Sequence, residues 1–176
     1  MNPLVLVGIG VGLFLLFGAT KPKATYTREQ FKQALLPIAQ NIEGTYAYPA
    51  SFTVTQASLE SDDGNSELTQ IANNLFGFTA DASYPRKVLM STKEYIIGKG
   101  WVRMSRLFRG YGSWEESAID YIRLIMTADR YKDVVAKAAA GDVNGWADAL
   151  DRSGYATGPV GEYAAELKAR YKSLKW

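Results

Sequence analysis

The chain has 176 residues, 47% of them apolar and 22% charged, with a formal net charge of +2. That balance excludes disorder or a coiled coil as the bulk of the molecule and fits one domain with a small appendage; no nucleic-acid motif or basic stripe accompanies the charge. Cysteine and histidine are both absent, which removes disulfides, thiol nucleophiles, Ser-His-Asp triads, HExxH metalloproteases and nearly all catalytic zinc.

Acid–base chemistry is therefore left to Asp, Glu, Tyr or Lys, with no cofactor or metal implied. Chemistry that needs only two carboxylates, such as glycoside hydrolysis, survives this cut.

Residues 3–20 read PLVLVGIGVGLFLLFGAT and carry no charge. A run of about 18 apolar residues is near the lower limit for a membrane-spanning helix. A dinucleotide loop would need a third glycine where Leu13 stands. A cleaved signal peptide would need a preceding Lys or Arg and an A-x-A site, and neither is present. The reading adopted is a single-pass anchor over 1–20, with a linker over 21–26 and one domain over 27–176. Gly8 and Gly12 form a GxxxG pair suited to self-association within the membrane. Lys21, Lys23, Arg28 and Lys32 all follow the span, so the positive-inside rule places the domain on the cytoplasmic side.

Thr27 and Gln30 form a capping box that opens a helix, and Phe31, Leu35, Ile38 and Ile42 give it one apolar face. A second helix is expected over 51–61, stopped by Asp62-Asp63-Gly64 with a glycine suited to a left-handed cap. A short helix over 67–73 follows. Residues 87–96 are β-prone, Gly98-Lys99-Gly100 signals a turn, and 101–108 largely alternates in polarity, which predicts a hairpin. Ser113 and Glu116 form a capping box for a helix to about Thr127. Further helices are expected near Asp129, Asp142 and Pro159. The carboxylates between Asp62 and Glu67 lack the EF-hand spacing, so a polar turn is expected there rather than a calcium site.

Several blocks, in order, then carry a resemblance: Gln56-Ala57-Ser58-Leu59-Glu60-Ser61, Asn74-Leu75-Phe76-Gly77, Thr92-Lys93-Glu94-Tyr95 with Gly98, Phe108-Arg109-Gly110-Tyr111, Glu116-Ser117 with Asp120-Tyr121, and Gly154-Tyr155-Ala156-Thr157. Together they resemble the glycoside hydrolase family 73 endo-β-N-acetylglucosaminidases, over roughly Phe31 to Tyr171. The resemblance implies an α+β, mostly α, lysozyme-like helical domain with a small β-hairpin lobe, here preceded by one transmembrane helix. It implies a peptidoglycan hydrolase that cleaves the β-1,4 bond between N-acetylglucosamine and N-acetylmuramic acid. Glu60 takes the place of the family's general acid, Glu94 that of the second carboxylate, and Tyr155 that of the tyrosine lining the cleft. Asn74, Tyr111 and Tyr163 are candidate sugar contacts, while Phe76 reads as core.

Two departures stand out. Asp62-Asp63-Gly64 replaces the family's Gly-Trp-Gly, and Thr157-Gly158-Pro159 replaces Thr-Asp-Pro. Alternatives are a muramidase or lytic transglycosylase on the same fold, and an inactive structural or wall-binding protein. The expected partners are glycan strands and, through the anchor, a lipid membrane. The expected setting is a bacterial envelope or the internal membrane of a bacteriophage virion. At neutral pH an ordinary Glu is nearly all ionised and donates poorly. The end of a helix, apolar Leu59, Leu75 and Phe76, and the charges of Asp62 and Asp63 are each expected to favour the protonated form of Glu60.

Overall fold

The computed structural model describes residues 25–96, 100–156 and 158–176. The expected transmembrane helix, with Gly8 and Gly12, lies outside the described residues. Among those described, no helix is long and apolar enough to cross a membrane.

Helix α1 spans Arg28–Tyr46 and opens on the expected capping box, with both the Thr27 and Gln30 side chains bonded to backbone N–H groups. It buries Phe31, Leu35, Ala39 and Ile42 against α2, which spans Ala50–Glu60. Helix α2 is buried on nearly every side, as expected of a helix at the centre of the fold rather than on its surface. After α3 (Glu67–Ala72) comes the hairpin, β1 (Lys87–Ile96) against β2 (Gly100–Arg109), antiparallel with Lys87 opposite Arg109 and Ile96 opposite Gly100. The remaining chain is helical: α4 (Trp114–Thr127), a 3₁₀ turn at Asp129–Tyr131, α5 (Lys132–Ala139), α6 (Val143–Arg152) and α7 (Glu162–Ser173).

One core joins all of these helices except α3, around Trp146, Tyr121, Phe52 and Phe76, with Phe52 stacked on Trp146 and Phe76 on Tyr121. Phe76 is core, as its sequence context suggested. A second, small cluster of Leu68, Ala72 and Phe108, flanked by Val88 and Met90, seats the base of the hairpin on α3. Backbone bonds from Ala80 N–H to Leu107 and from Arg109 N–H to Phe78 tie the same base to the loop between α3 and β1. Tyr26, assigned to the linker, exchanges two hydrogen bonds with the Asn65 side chain and lays its ring against Trp114.

Candidate active site

Glu60 is the last residue of α2 and only 6% exposed. The chain reverses immediately after it, with Asp62, Asp63 and Gly64 all at positive φ (52°, 54° and 80°). Left-handed backbone is costly for most side chains, though Asp tolerates it better than bulkier residues. Two features hold the turn. The Ser61 hydroxyl donates to Ala57 O and accepts from Gly64 N–H. Gly64 admits no side chain, since a Cβ there would sit 2.9 Å from the Phe31 ring.

The second feature is Asp63, whose buried carboxylate accepts from Ser58 Oγ, from Arg28 Nε at 3.2 Å and from Arg170 Nη1 at 2.9 Å. This staple joins the end of α2 to α1 and α7. The residue that departs from the family pattern thus serves as an ion-paired anchor.

Burial is the main influence on Glu60 and pushes its pKa up to about 7; the Tyr163 hydrogen bond pulls it down, and the charge of Glu166 on α7 pushes it up. The expected apolar surroundings therefore matter most, because desolvation disfavours the ionised carboxyl. The expected contribution of Asp62 and Asp63 is corrected: Asp63 is neutralised by two arginines and Asp62 is exposed, while the acidic neighbour that acts is Glu166.

The Tyr163 hydroxyl donates to Glu60 Oε1 at 2.6 Å. Tyr155, in the loop between α6 and α7, stacks nearly parallel on Tyr163, with centroids 5.9 Å apart. Its buried hydroxyl has no hydrogen-bond partner among the described residues, and the charge of Glu60 helps push its pKa well up, second to burial itself. The structure thus brings together Glu60, Tyr155 and Tyr163. Glu60 Oε2 takes no hydrogen bond from the described residues.

Asn74 and Tyr111, the other two candidate sugar contacts, both have internal hydrogen-bond partners. The Asn74 amide donates to Phe78 O and Arg109 O and accepts from Phe76 N–H and Phe78 N–H, which uses its full capacity. Tyr111, 6% exposed, spends its proton on Asp120, which also pairs with Arg109 at 2.6 Å. Both side chains secure the root of the hairpin. Glu94 lies in β1 opposite Val102, and its side chain lies outside the described residues. No cluster of acidic residues suited to a metal ion occurs among the described residues.

A comparison of the sequence with family models matches residues 36–176 to the glucosaminidase family, described as mannosyl-glycoprotein endo-beta-N-acetylglucosaminidase. The chain belongs to that family. Within the glucosaminidases it is 34% identical to the exo-glucosaminidase LytG of Bacillus subtilis, over 93% of this chain and 60% of that protein. It is 32% identical to the peptidoglycan hydrolase FlgJ of Pseudomonas aeruginosa, over 79% of this chain and 35% of the relative. The chain therefore spans less than two thirds of the length of these relatives. Its fold matches the catalytic domain of the autolysin Auto from Listeria monocytogenes with a TM-score of 0.70 at 27% identity, covering 86% of this chain and 87% of that one. The mostly helical architecture with a small two-stranded sheet is thus that of the glucosaminidases.

The residues around Glu60 that the motif blocks did not single out for a role are Gln56, Glu166, Asp63 and Arg170. Spacing held part of the signal. Gln56 stands four residues before Glu60, and Tyr163 three before Glu166, so each pair shares a helix face.

Proposed function

We propose that this chain hydrolyses peptidoglycan, cutting the β-1,4 bond between N-acetylglucosamine and N-acetylmuramic acid, with Glu60 as general acid. The observation that carries this reading is a buried carboxyl at a helix end, with one oxygen held by Tyr163 and a pKa raised to about 7. Such a group carries a proton about half of the time at neutral pH, when an ordinary Glu has lost it almost entirely. It passes that proton to the glycosidic oxygen as the bond from C1 to that oxygen breaks, and positive charge grows on the sugar. Glu94, on the hairpin lobe, is the second carboxylate, as attacking nucleophile or as base for a water. Tyr155, with its hydroxyl free beside Glu60, steadies the reacting sugar.

The apolar run 3–20 anchors the enzyme in a membrane, and Gly8 with Gly12 lets two such helices associate. The cluster of Lys21, Lys23, Arg28 and Lys32 after that run supports delivery from a bacteriophage virion with an internal membrane, which reconciles a cytoplasm-facing domain with a wall substrate. An intact N-terminus by mass spectrometry agrees with an uncleaved anchor; a chain processed after residue 20 contradicts it.

Product analysis tests the bond specificity. Digestion of purified peptidoglycan is expected to leave new reducing N-acetylglucosamine ends. Reducing muramic ends or 1,6-anhydromuramic ends would instead assign a muramidase or a lytic transglycosylase.

A further inference from the structure

Polar groups continue inward behind Tyr163. Gln56, fully buried one turn before Glu60 on α2, donates from Nε2 to Tyr163 Oη at 3.1 Å and accepts at Oε1 from the Tyr121 hydroxyl. Tyr121 Oη lies 3.3 Å from Tyr48 Oη, which accepts from Trp146 Nε1–H at 2.7 Å. Side chains from α6, the α1–α2 loop, α4, α2 and α7 thus form one file of hydrogen bonds that ends on Glu60.

The two ends of the file give it a direction. Indole N–H can only donate, and Glu60 Oε1 accepts from Tyr163 whether the carboxyl is ionised or carries its proton on Oε2. With Trp146 donating to it, Tyr48 directs its own proton to Tyr121, which directs its proton to Gln56 Oε1. At the other end Tyr163 has a single proton, and Glu60 takes it, so Gln56 must present its amide N–H to Tyr163. The amide orientation that satisfies one end satisfies the other. A reversed Gln56 would turn two donors toward each other at Tyr121 or leave Tyr163 with two acceptors and one proton.

We propose that Gln56 is a positioning residue: by donating to Tyr163 it fixes the direction of that hydroxyl and sets how firmly Glu60 is held for proton transfer. The inference rests on the reading of Glu60 as the acid. A donor strengthens the hydroxyl it bonds to, because successive hydrogen bonds polarise one another. The file therefore works against burial, and the proton affinity of Glu60 is the balance of the two. Other titratable groups facing Glu60 are Tyr163 and Glu166 from α7 and Tyr155 from the α6–α7 loop. Asp63, in the turn after α2, is paired with Arg28 and Arg170. The Glu94 side chain on β1 lies outside the described residues.

The test is a carbon-13 NMR titration of the Glu60 carboxyl, assigned by its loss in Glu60→Gln, together with the pH dependence of peptidoglycan hydrolysis. Losing the bond outright in Tyr163→Phe is expected to raise the Glu60 midpoint by about one pH unit. Gln56→Met keeps the hydroxyl but removes its donor, so a rise of about 0.3 unit is expected. The basic limb of the activity profile moves the same way, with KM little changed. A Gln56→Met protein that melts earlier but keeps both midpoint and limb would overturn the proposal, since that is what packing alone predicts. Should Gln56→Met not fold, Tyr48→Phe breaks the file further back while keeping the ring; a smaller rise supports the proposal and no rise overturns it. The two readings fail separately. If Glu60 were not the acid, Glu60→Gln would retain activity, yet the NMR midpoint would still report on the file.

Discussion

The two carboxylates assigned to the chemistry stand in very different settings. Glu60 ends a helix buried on nearly all sides, and its turn is pinned by Ser61, Gly64 and the Asp63 ion pairs. Glu94 rides on a two-stranded hairpin, a unit with little stability of its own in water. That hairpin is joined to the body at its base by Phe108, Asn74 and the Arg109–Asp120–Tyr111 cluster. The contrast suits a general acid that needs a dry, fixed site, and a partner that must admit and release a long polymer. It also fits the polar bonds of Asn74, Arg109 and Tyr111 at the root of the arm.

The largest expected effect breaks the rigid half of this contrast. Asp63→Ala leaves the half-buried Arg170 without its carboxylate partner, at a cost of about 3 kcal/mol measured by denaturant unfolding. The second prediction concerns pH. Because burial raises the folded pKa of Glu60 to about 7, above its unfolded value, folding favours the protonated form. Its contribution to stability is full below about pH 4.5 and is lost as pH rises through 7. Glu60→Gln is therefore expected to be more stable than wild type at pH 8 by about 3 kcal/mol, and to show little of that advantage at pH 4. An equal difference at both pH values would show that the carboxyl is well solvated. The smallest effect is local. Phe108→Ala loosens the hairpin root, so amide exchange in β1 and β2 is expected to quicken about tenfold while α2 stays protected. Uniform quickening in both regions would erase the distinction between body and arm.

Local signals in the chain marked most of the architecture. The Thr27–Gln30 capping box, the hairpin strands at 87–96 and near 101–108, and the left-handed stop after α2 need only neighbours within a few residues. The Ser113–Glu116 box is met halfway: Ser113 caps Glu116 N–H, but the Glu116 carboxylate turns to Gly112 N–H and Arg86. The resemblance selected Glu60 and Tyr155, and the packing brings both to Tyr163. What remained hidden depends on contacts distant in the chain. Gln56 meets Tyr163 107 residues away, and Asp63 meets Arg170 at the same separation. No periodicity reports such pairs. The backbone partners of Asn74 were equally hidden, because a polar side chain beside a loop looks the same whether it binds a ligand or its own backbone.

The central claim, that Glu60 is the proton donor, is tested most directly by comparing wild type with Glu60→Gln on purified peptidoglycan at neutral pH. Melting curves on both proteins establish that each is folded. Removing a general acid is expected to lower the rate on the order of a thousandfold, while the variant still melts cooperatively, at or above the wild-type temperature. Equal hydrolysis by the two folded proteins would contradict the account.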